Sequence, residues 1–159
     1  MSTSLVCFAL LNAQASALNW NPKEIELPAD LHRIQFQVYV PSQASTLIIQ
    51  KAKLVWVPQL AEWPGRPGRQ ALRLSMKDRD GKVLELFLVP AIADGCAANI
   101  GQVVGQGYLS FSLKPGMSIV TVEKEGTCIG LISSDYGTAA LHDLAKGLQP
   151  MRQPRQAAK

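Results

Sequence analysis

A loop rich in proline and glycine carries the residues whose types are best suited to binding. In residues 61–70 (AEWPGRPGRQ), two Pro-Gly steps prevent regular secondary structure and leave one aromatic and two guanidinium groups on a constrained backbone: Trp63, Arg66 and Arg69. Guanidinium groups pair with carboxylates and phosphates and stack on rings, so the loop is a candidate contact surface for an anionic or planar ligand. The structural alternative, which the sequence favours, is a crossover whose Trp63 covers the end of the core.

The start of the chain decides how many cysteines remain available for chemistry. Residues 5–11 (LVCFALL) form a short apolar run, and small residues follow at positions 13, 15 and 17. This layout is typical of a secretory signal peptide, so we expect a signal peptide over residues 1–17. No Lys or Arg precedes the apolar run, and the alternative is a buried first strand or short helix.

Removal of such a leader would take Cys7 with it and leave Cys96 and Cys128 as a single pair. An even number of cysteines suits an oxidising compartment, so the two are predicted to form a disulfide. The bridge would close a loop of about 33 residues, which corresponds to on the order of 3 to 4 kcal/mol of stabilisation. The alternative is two separate buried thiols in a cytosolic protein.

Catalytic residue types are present but are not arranged for catalysis. His32 and His142 have no second ligand at a metal-binding spacing. Ser133 or Ser134 can be combined with His142 and Asp135 as a nucleophile set, but capping of a helix explains Ser134 and Asp135, and no glycine elbow is present. The sequence therefore predicts a protein that is not an enzyme and has no metal site and no cofactor.

The net charge of +4 comes from the end of the chain. The 12 Lys and Arg before residue 146 balance the 12 Asp and Glu of the chain. The excess is the four basic residues in the last 14 positions: Lys146, Arg152, Arg155 and Lys159. Residues 148–159 are rich in Pro and Gln and are predicted to be a disordered basic tail that can contact an anionic surface. The ten aromatic residues form no basic and aromatic sheet pattern, so no nucleic-acid partner is expected.

Hydrophobic periodicity predicts the elements that hold these residues, above all a central hairpin. Residues 71–77 alternate apolar and polar side chains, residues 78–81 (DRDG) supply turn chemistry, and residues 83–89 are apolar except for Glu85. The second run is typical of a strand covered on both faces, near the middle of a sheet.

Shorter alternating runs predict further strands over 20–27, 33–40, 46–57, 108–113, 118–122 and 127–133. The strand over 46–57 is expected to bend, or to divide in two, around Gln50 and Lys51. The period changes only near the end, where a helix is predicted with Ser134 or Asp135 as its cap and Gly147 in the terminating left-handed position. Its buried stripe would contain Ala140, Leu141, Leu144 and Ala145.

These observations predict a mainly β fold: an antiparallel sandwich or flattened barrel of about seven to eight short strands, with one short C-terminal helix. Residues 18–147 would form a single β-rich domain. The favoured function is a non-enzymatic binding or assembly module of the bacterial cell envelope, periplasmic or secreted, with a protein partner or a second copy of itself. Its contact surface would be the loop from Trp63 to Arg69 or an exposed sheet edge. The alternative is a structural subunit of a larger particle, such as a phage virion or secretion machine, located in the virion or the cytoplasm.

Overall fold

Eight strands in two antiparallel sheets make up most of the part of the chain that the computed structural model describes, which is residues 23–42, 45–57, 69–91, 95–98, 100 and 115–152. The strands are β1 (Lys23–Ile25), β2 (Tyr39–Pro41), β3 (Ile48–Val57), β4 (Arg69–Lys77), β5 (Val83–Pro90), β6 (Ser118–Lys124), β7 (Thr127–Ser133) and β8 (Leu148–Pro150). Six form an open sheet in the order β1-β3-β4-β5-β7-β6, and β2 pairs with β8. A short 3-10 helix, η1 (Ala29–Arg33), and the helix α1 (Thr138–Lys146) complete these elements. The predicted mainly β fold with one short C-terminal helix is confirmed.

The central hairpin forms as the alternation predicts, and β4 and β5 are the two middle strands of the large sheet. The Asp78 carboxylate accepts hydrogen bonds from the backbone N–H groups of Asp80 and Lys82, each at 2.9 Å. Gly81 has φ +84°, a left-handed conformation that costs glycine little. The turn chemistry therefore fixes the register of the two middle strands.

The neighbouring strands also follow the predicted pattern. Between Ile49 and Lys51 the pairing of β3 with β4 shifts by one residue, a β-bulge that places the bend at Gln50, as the sequence predicts. The turn between β6 and β7 contains Glu125 (φ +46°) and Gly126 (φ +78°), the two left-handed residues that a tight hairpin requires.

The main core lies on one face of the large sheet, which we call the first face. Leucine side chains from three central strands are fully buried there: Leu72, Leu74, Leu84, Leu86, Leu88 and Leu131. Residues of η1, α1 and the β2-β8 sheet cover them, among them Leu31, Leu141 and Leu148. A smaller buried cluster lies on the opposite, second face and contains Ala71, Phe87, Val89, Ile100, Cys128 and Ile132.

The segment 33–40 was predicted as a strand, and this prediction is wrong for most of its length. Only Tyr39 and Val40 belong to a strand, and the consecutive residues Val38 and Tyr39 are both buried, at 1% and 3% exposure, which alternation does not allow. Buried Gln70 takes the place of a neighbouring strand, because its amide accepts from Gln35 N–H and donates to Arg33 C=O, both at 2.7 Å.

The helix itself was predicted correctly, but Ala140 is exposed and does not belong to its buried stripe, and its caps were not predicted correctly. α1 begins after Gly137, with no side-chain cap, and Gly147 has φ −85°, so it is not left-handed. The Asp135 carboxylate instead accepts from Val83 N–H at 2.7 Å. The carboxylate that was predicted to cap the helix therefore binds the backbone of Val83, the first residue of β5.

The disordered tail was predicted to begin at residue 148, but Leu148–Pro150 form strand β8 and Met151 N–H donates to Val38 C=O at 2.8 Å. Leu148 is buried, which explains why this end of the chain is ordered. The remainder of the predicted tail after residue 152, the predicted signal peptide and the strand predicted over 108–113 lie outside the described residues. In the described part of the chain, no helix is both long and apolar enough to cross a membrane.

Candidate functional site

The predicted loop site falls mostly beyond the part of the chain that can be described. Trp63 and Arg66 lie outside the described residues, and Arg69 is the first residue of β4, where it pairs with Val57. The contact surface formed by Trp63, Arg66 and Arg69 therefore stays a prediction from the sequence.

The predicted disulfide is present. Cys96 and Cys128 are bonded, with an S–S distance of 2.01 Å and a Cα–Cα distance of 5.2 Å. Cys128 is fully buried in β7, and Cys96 belongs to the segment that follows β5. The bond therefore fastens this segment to the second face of the large sheet.

Ile100 shows how closely the fastened segment packs. A Cβ atom placed on Gly130 of β7 would lie only 2.8 Å from Ile100 Cγ2. Phe87 of β5 is the cross-strand partner of Gly130, and Phe87 and Ile100 are both in the second-face cluster. Because Gly130 has no side chain, Ile100 can pack against the sheet beside Phe87. The segment that contains Ile100 therefore covers this end of the second face.

A polar cluster occupies the middle of the second face. Arg73 Nε donates to Glu85 Oε2 at 2.8 Å, and Ser75 Oγ donates to the same oxygen at 2.9 Å. Arg73 Cζ also lies 5.7 Å from the centre of the Phe87 ring. The side chains of Arg73 and Glu85 are only 18% and 12% exposed. Sequence reasoning noted Glu85 as the single charge in an apolar strand but did not predict its partner.

The other end of the second face exposes apolar side chains next to a lysine. Ile48, Lys77 and Val83 are direct cross-strand partners on β3, β4 and β5, so their side chains share this face. Ile119 lies on the same face, because it pairs with Ile132, and Ile132 pairs with Glu85. We call Ile48, Lys77, Val83 and Ile119 the open patch.

Exposure distinguishes the open patch from the rest of the described surface. Ile48, Val83 and Ile119 are 62%, 41% and 42% exposed, and they are the exposed large hydrophobic residues among the side chains that the structure describes. Lys77 is exposed, and within the described residues it forms no salt bridge. Single exposed apolar residues are ordinary, but here Ile48 and Val83 flank Lys77 and Ile119 lies on the same face of the sheet, and together they form a surface suited to binding another molecule.

The serine and aspartate that could have formed a nucleophile set instead connect two loops. Ser133 Oγ donates to Val83 C=O at 2.5 Å and accepts from the N–H groups of Asp135 and Tyr136. The Tyr136 hydroxyl donates to Asp78 at 2.5 Å. The network therefore joins the central hairpin turn to the loop before α1.

This network shifts two pKa values. Burial, followed by the hydrogen bond to Asp78 and the charges of nearby carboxylates, raises the pKa of Tyr136 to about 12. The hydrogen bond from Tyr136, with two backbone N–H donors, lowers the pKa of Asp78. Both shifts favour the state in which a neutral tyrosine donates to an ionised aspartate.

We expect Tyr136→Phe to make folding stability less sensitive to alkaline pH. The folded pKa of Tyr136, about 12, lies above its unfolded value of 10, so this contribution is complete below pH 10 and is lost as the pH rises towards 12. Urea unfolding of both proteins between pH 8 and 12, followed by far-ultraviolet circular dichroism, measures the difference in slope. Equal slopes would contradict the prediction.

No group of three or more His, Cys, Asp or Glu side chains in the described ranges could hold a metal ion. One cavity around the described residues, of about 730 Å³, lies beside β2 and β8 and is lined by Pro28, Val40, Pro41, Gln149, Pro150, Met151 and Arg152. Another, of about 680 Å³, lies beside β1 and β3, and its lining includes Glu24, Glu26 and Asp30.

The chain matches no protein-family model, and no curated protein or solved structure is significantly similar to it.

Proposed function

We propose that this protein is a non-enzymatic binding or assembly module of the bacterial cell envelope, periplasmic or secreted, which contacts a protein partner through the open patch. The open patch is the observation that carries the proposal, because its apolar side chains remain in water while others of the same type are buried. A partner that covers them gains the free energy of removing that apolar surface from water.

The closed end of the second face supports a binding role for the open end. The disulfide and Ile100 hold one half of this face in a fixed arrangement, and the Arg73–Glu85 ion pair adjoins it. A patch whose residues lie on four strands of one hydrogen-bonded sheet needs little reorganisation when a partner binds, which lowers the entropic cost of association.

The cysteines support the proposed compartment. A bond between fully buried Cys128 and Cys96 is compatible with an oxidising environment such as the periplasm or the extracellular space. The apolar run at residues 5–11, followed by small residues, supports export by a cleaved leader.

Site-specific cross-linking in the native host tests the binding role. Benzoylphenylalanine in place of Ile119 should give one defined protein adduct after irradiation, because this position belongs to the open patch. The matched control is the same amino acid in place of His142, which is exposed on α1. Absence of an adduct at position 119, or the same adduct at both positions, would overturn the proposed function.

The intact mass of protein purified from that host tests the compartment. Loss of the first 15 or 17 residues, together with a gain of two hydrogens on reduction, is the expected result. A full-length chain with three alkylatable thiols would overturn export and favour the subunit of an intracellular particle.

A further inference from the structure

We propose that the partner at the open patch is a helix that presents an acidic side chain between two apolar ones, spaced as residues i, i+3 or i+4, and i+7. This inference rests on the proposed function and identifies the class of partner for the same surface. Three features of the patch carry it: its position in the sheet, the spacing of its side chains and the charge at its centre.

The centre of the patch offers no edge for a further strand. Lys77 lies on β4, a middle strand of the six-stranded sheet, and it is paired with Ile48 of β3 on one side and with Val83 of β5 on the other. Strand addition needs unpaired backbone groups at a sheet edge. A partner that lies above Lys77 therefore uses side-chain contacts.

The spacing of the side chains matches a helix. Adjacent strands lie about 4.8 Å apart, so Ile48, Lys77 and Val83 form a row with about 5 Å between neighbours and about 10 Å between the two apolar ends. On one face of a helix, residues three or four apart are about 5 to 6 Å from each other, and seven residues span about 10.5 Å. In an extended segment, side chains on the same face are two residues apart and about 6.6 to 6.8 Å from each other, a spacing that matches the row of about 5 Å less well.

Lys77 determines the charge of the middle residue. The nearby cation Lys51 is paired with Glu24, whereas Lys77 forms no salt bridge within the described part of the chain. Burial of Lys77 beneath an apolar partner would leave its ammonium group without a counter-charge, but a carboxylate of the partner opposite Lys77 would compensate this charge. A second copy of this chain, packed symmetrically on the same patch, would bring one Lys77 close to the other. Charge therefore favours a different, acidic partner.

The test uses the adduct formed by benzoylphenylalanine at position 119, together with substitutions at Lys77. Mass spectrometry should place the cross-link in a segment with apolar residues seven apart and Asp or Glu between them. Lys77→Glu should lower the adduct yield about tenfold, because like charges would then meet in the interface, and the matched control Lys77→Arg should leave the yield within about twofold.

The outcomes separate the two proposals. If an adduct forms but its yield does not change in Lys77→Glu, or if it joins two copies of this chain or an extended segment, the helical acidic partner is wrong and the binding role stands. If no adduct forms at position 119, the binding role itself fails. Because Lys77 is exposed, circular dichroism should show that both Lys77 variants fold as the wild type does.

Discussion

Replacement of both bonded cysteines by alanine, C96A/C128A, lowers the free energy of unfolding by about 3 to 4 kcal/mol. The two residues are 32 positions apart, and their bond restricts the unfolded chain over this whole loop. Alanine is the suitable replacement at position 128 because this site is fully buried, and a serine hydroxyl there would add a desolvation cost of its own. Urea unfolding followed by circular dichroism measures the loss.

Reduction of the wild-type protein is the matched control, since it breaks the same bond without removing atoms. The reduced wild type and C96A/C128A should have stabilities within about 1 kcal/mol of each other, with the small residual cavity at position 128 favouring the reduced wild type. Coincident unfolding curves for the oxidised and reduced wild type would contradict the prediction. A dye that binds exposed apolar surface should also bind C96A/C128A more strongly, because release of Ile100 uncovers Phe87.

Glu85→Ala has the second large effect, a loss of about 3 kcal/mol of folding stability. Arg73 Nε and Ser75 Oγ both donate to Glu85, so the substitution removes one acceptor from two half-buried donors and one charge from a largely buried ion pair. The value is at the lower end of the range for buried pairs because 18% of the Arg73 side chain and 12% of the Glu85 side chain still contact water. Chemical unfolding at neutral pH measures it.

A second ion pair on the same sheet provides the control. Glu24 and Lys51 also form a salt bridge, but their side chains are 64% and 49% exposed. Glu24→Gln should leave the unfolding midpoint unchanged, because solvent screens an exposed pair. The double variant Arg73→Met with Glu85→Leu should recover most of the stability that Glu85→Ala loses, because apolar residues of similar volume can replace a buried ion pair. A small effect of Glu85→Ala, equal to that of Glu24→Gln, would contradict the assignment of Glu85 as the acceptor that orders this face.

Local signals were sufficient to predict the hairpins. Asp78 and Gly81 act through bonds and dihedral angles within their own turn, and the bend at Gln50 lies inside a single strand. Such turns and bends depend on few residues outside the segment that contains them, so a pattern in the sequence predicts them well. The pairing of Cys96 with Cys128, which are 32 positions apart, followed instead from a count of cysteines.

Features that depend on distant partners could not be predicted in the same way. Residues 33–40 alternate like a strand, yet the side chain of Gln70 binds their backbone, and nothing near position 35 indicates a glutamine 35 positions away. Asp135 resembles a helix cap, but Val83 N–H is its partner. The open patch was missed because Ile48, Val83 and Ile119 are typical strand residues, and only the order of the strands shows that they share a face.

The order of the strands also has a consequence for how fast the chain folds. Three of the pairings in the large sheet, β3 with β4, β4 with β5 and β6 with β7, join neighbours in sequence, whereas β5 and β7 must meet across more than 30 intervening residues. Closing that loop raises the contact order and is the entropically costly step of assembly. Cys128 pairs with Val89 in this ladder, so the disulfide spans almost the same loop. An unfolded chain that keeps the bond starts with the costly loop already closed, and the oxidised protein should therefore refold faster than the reduced one.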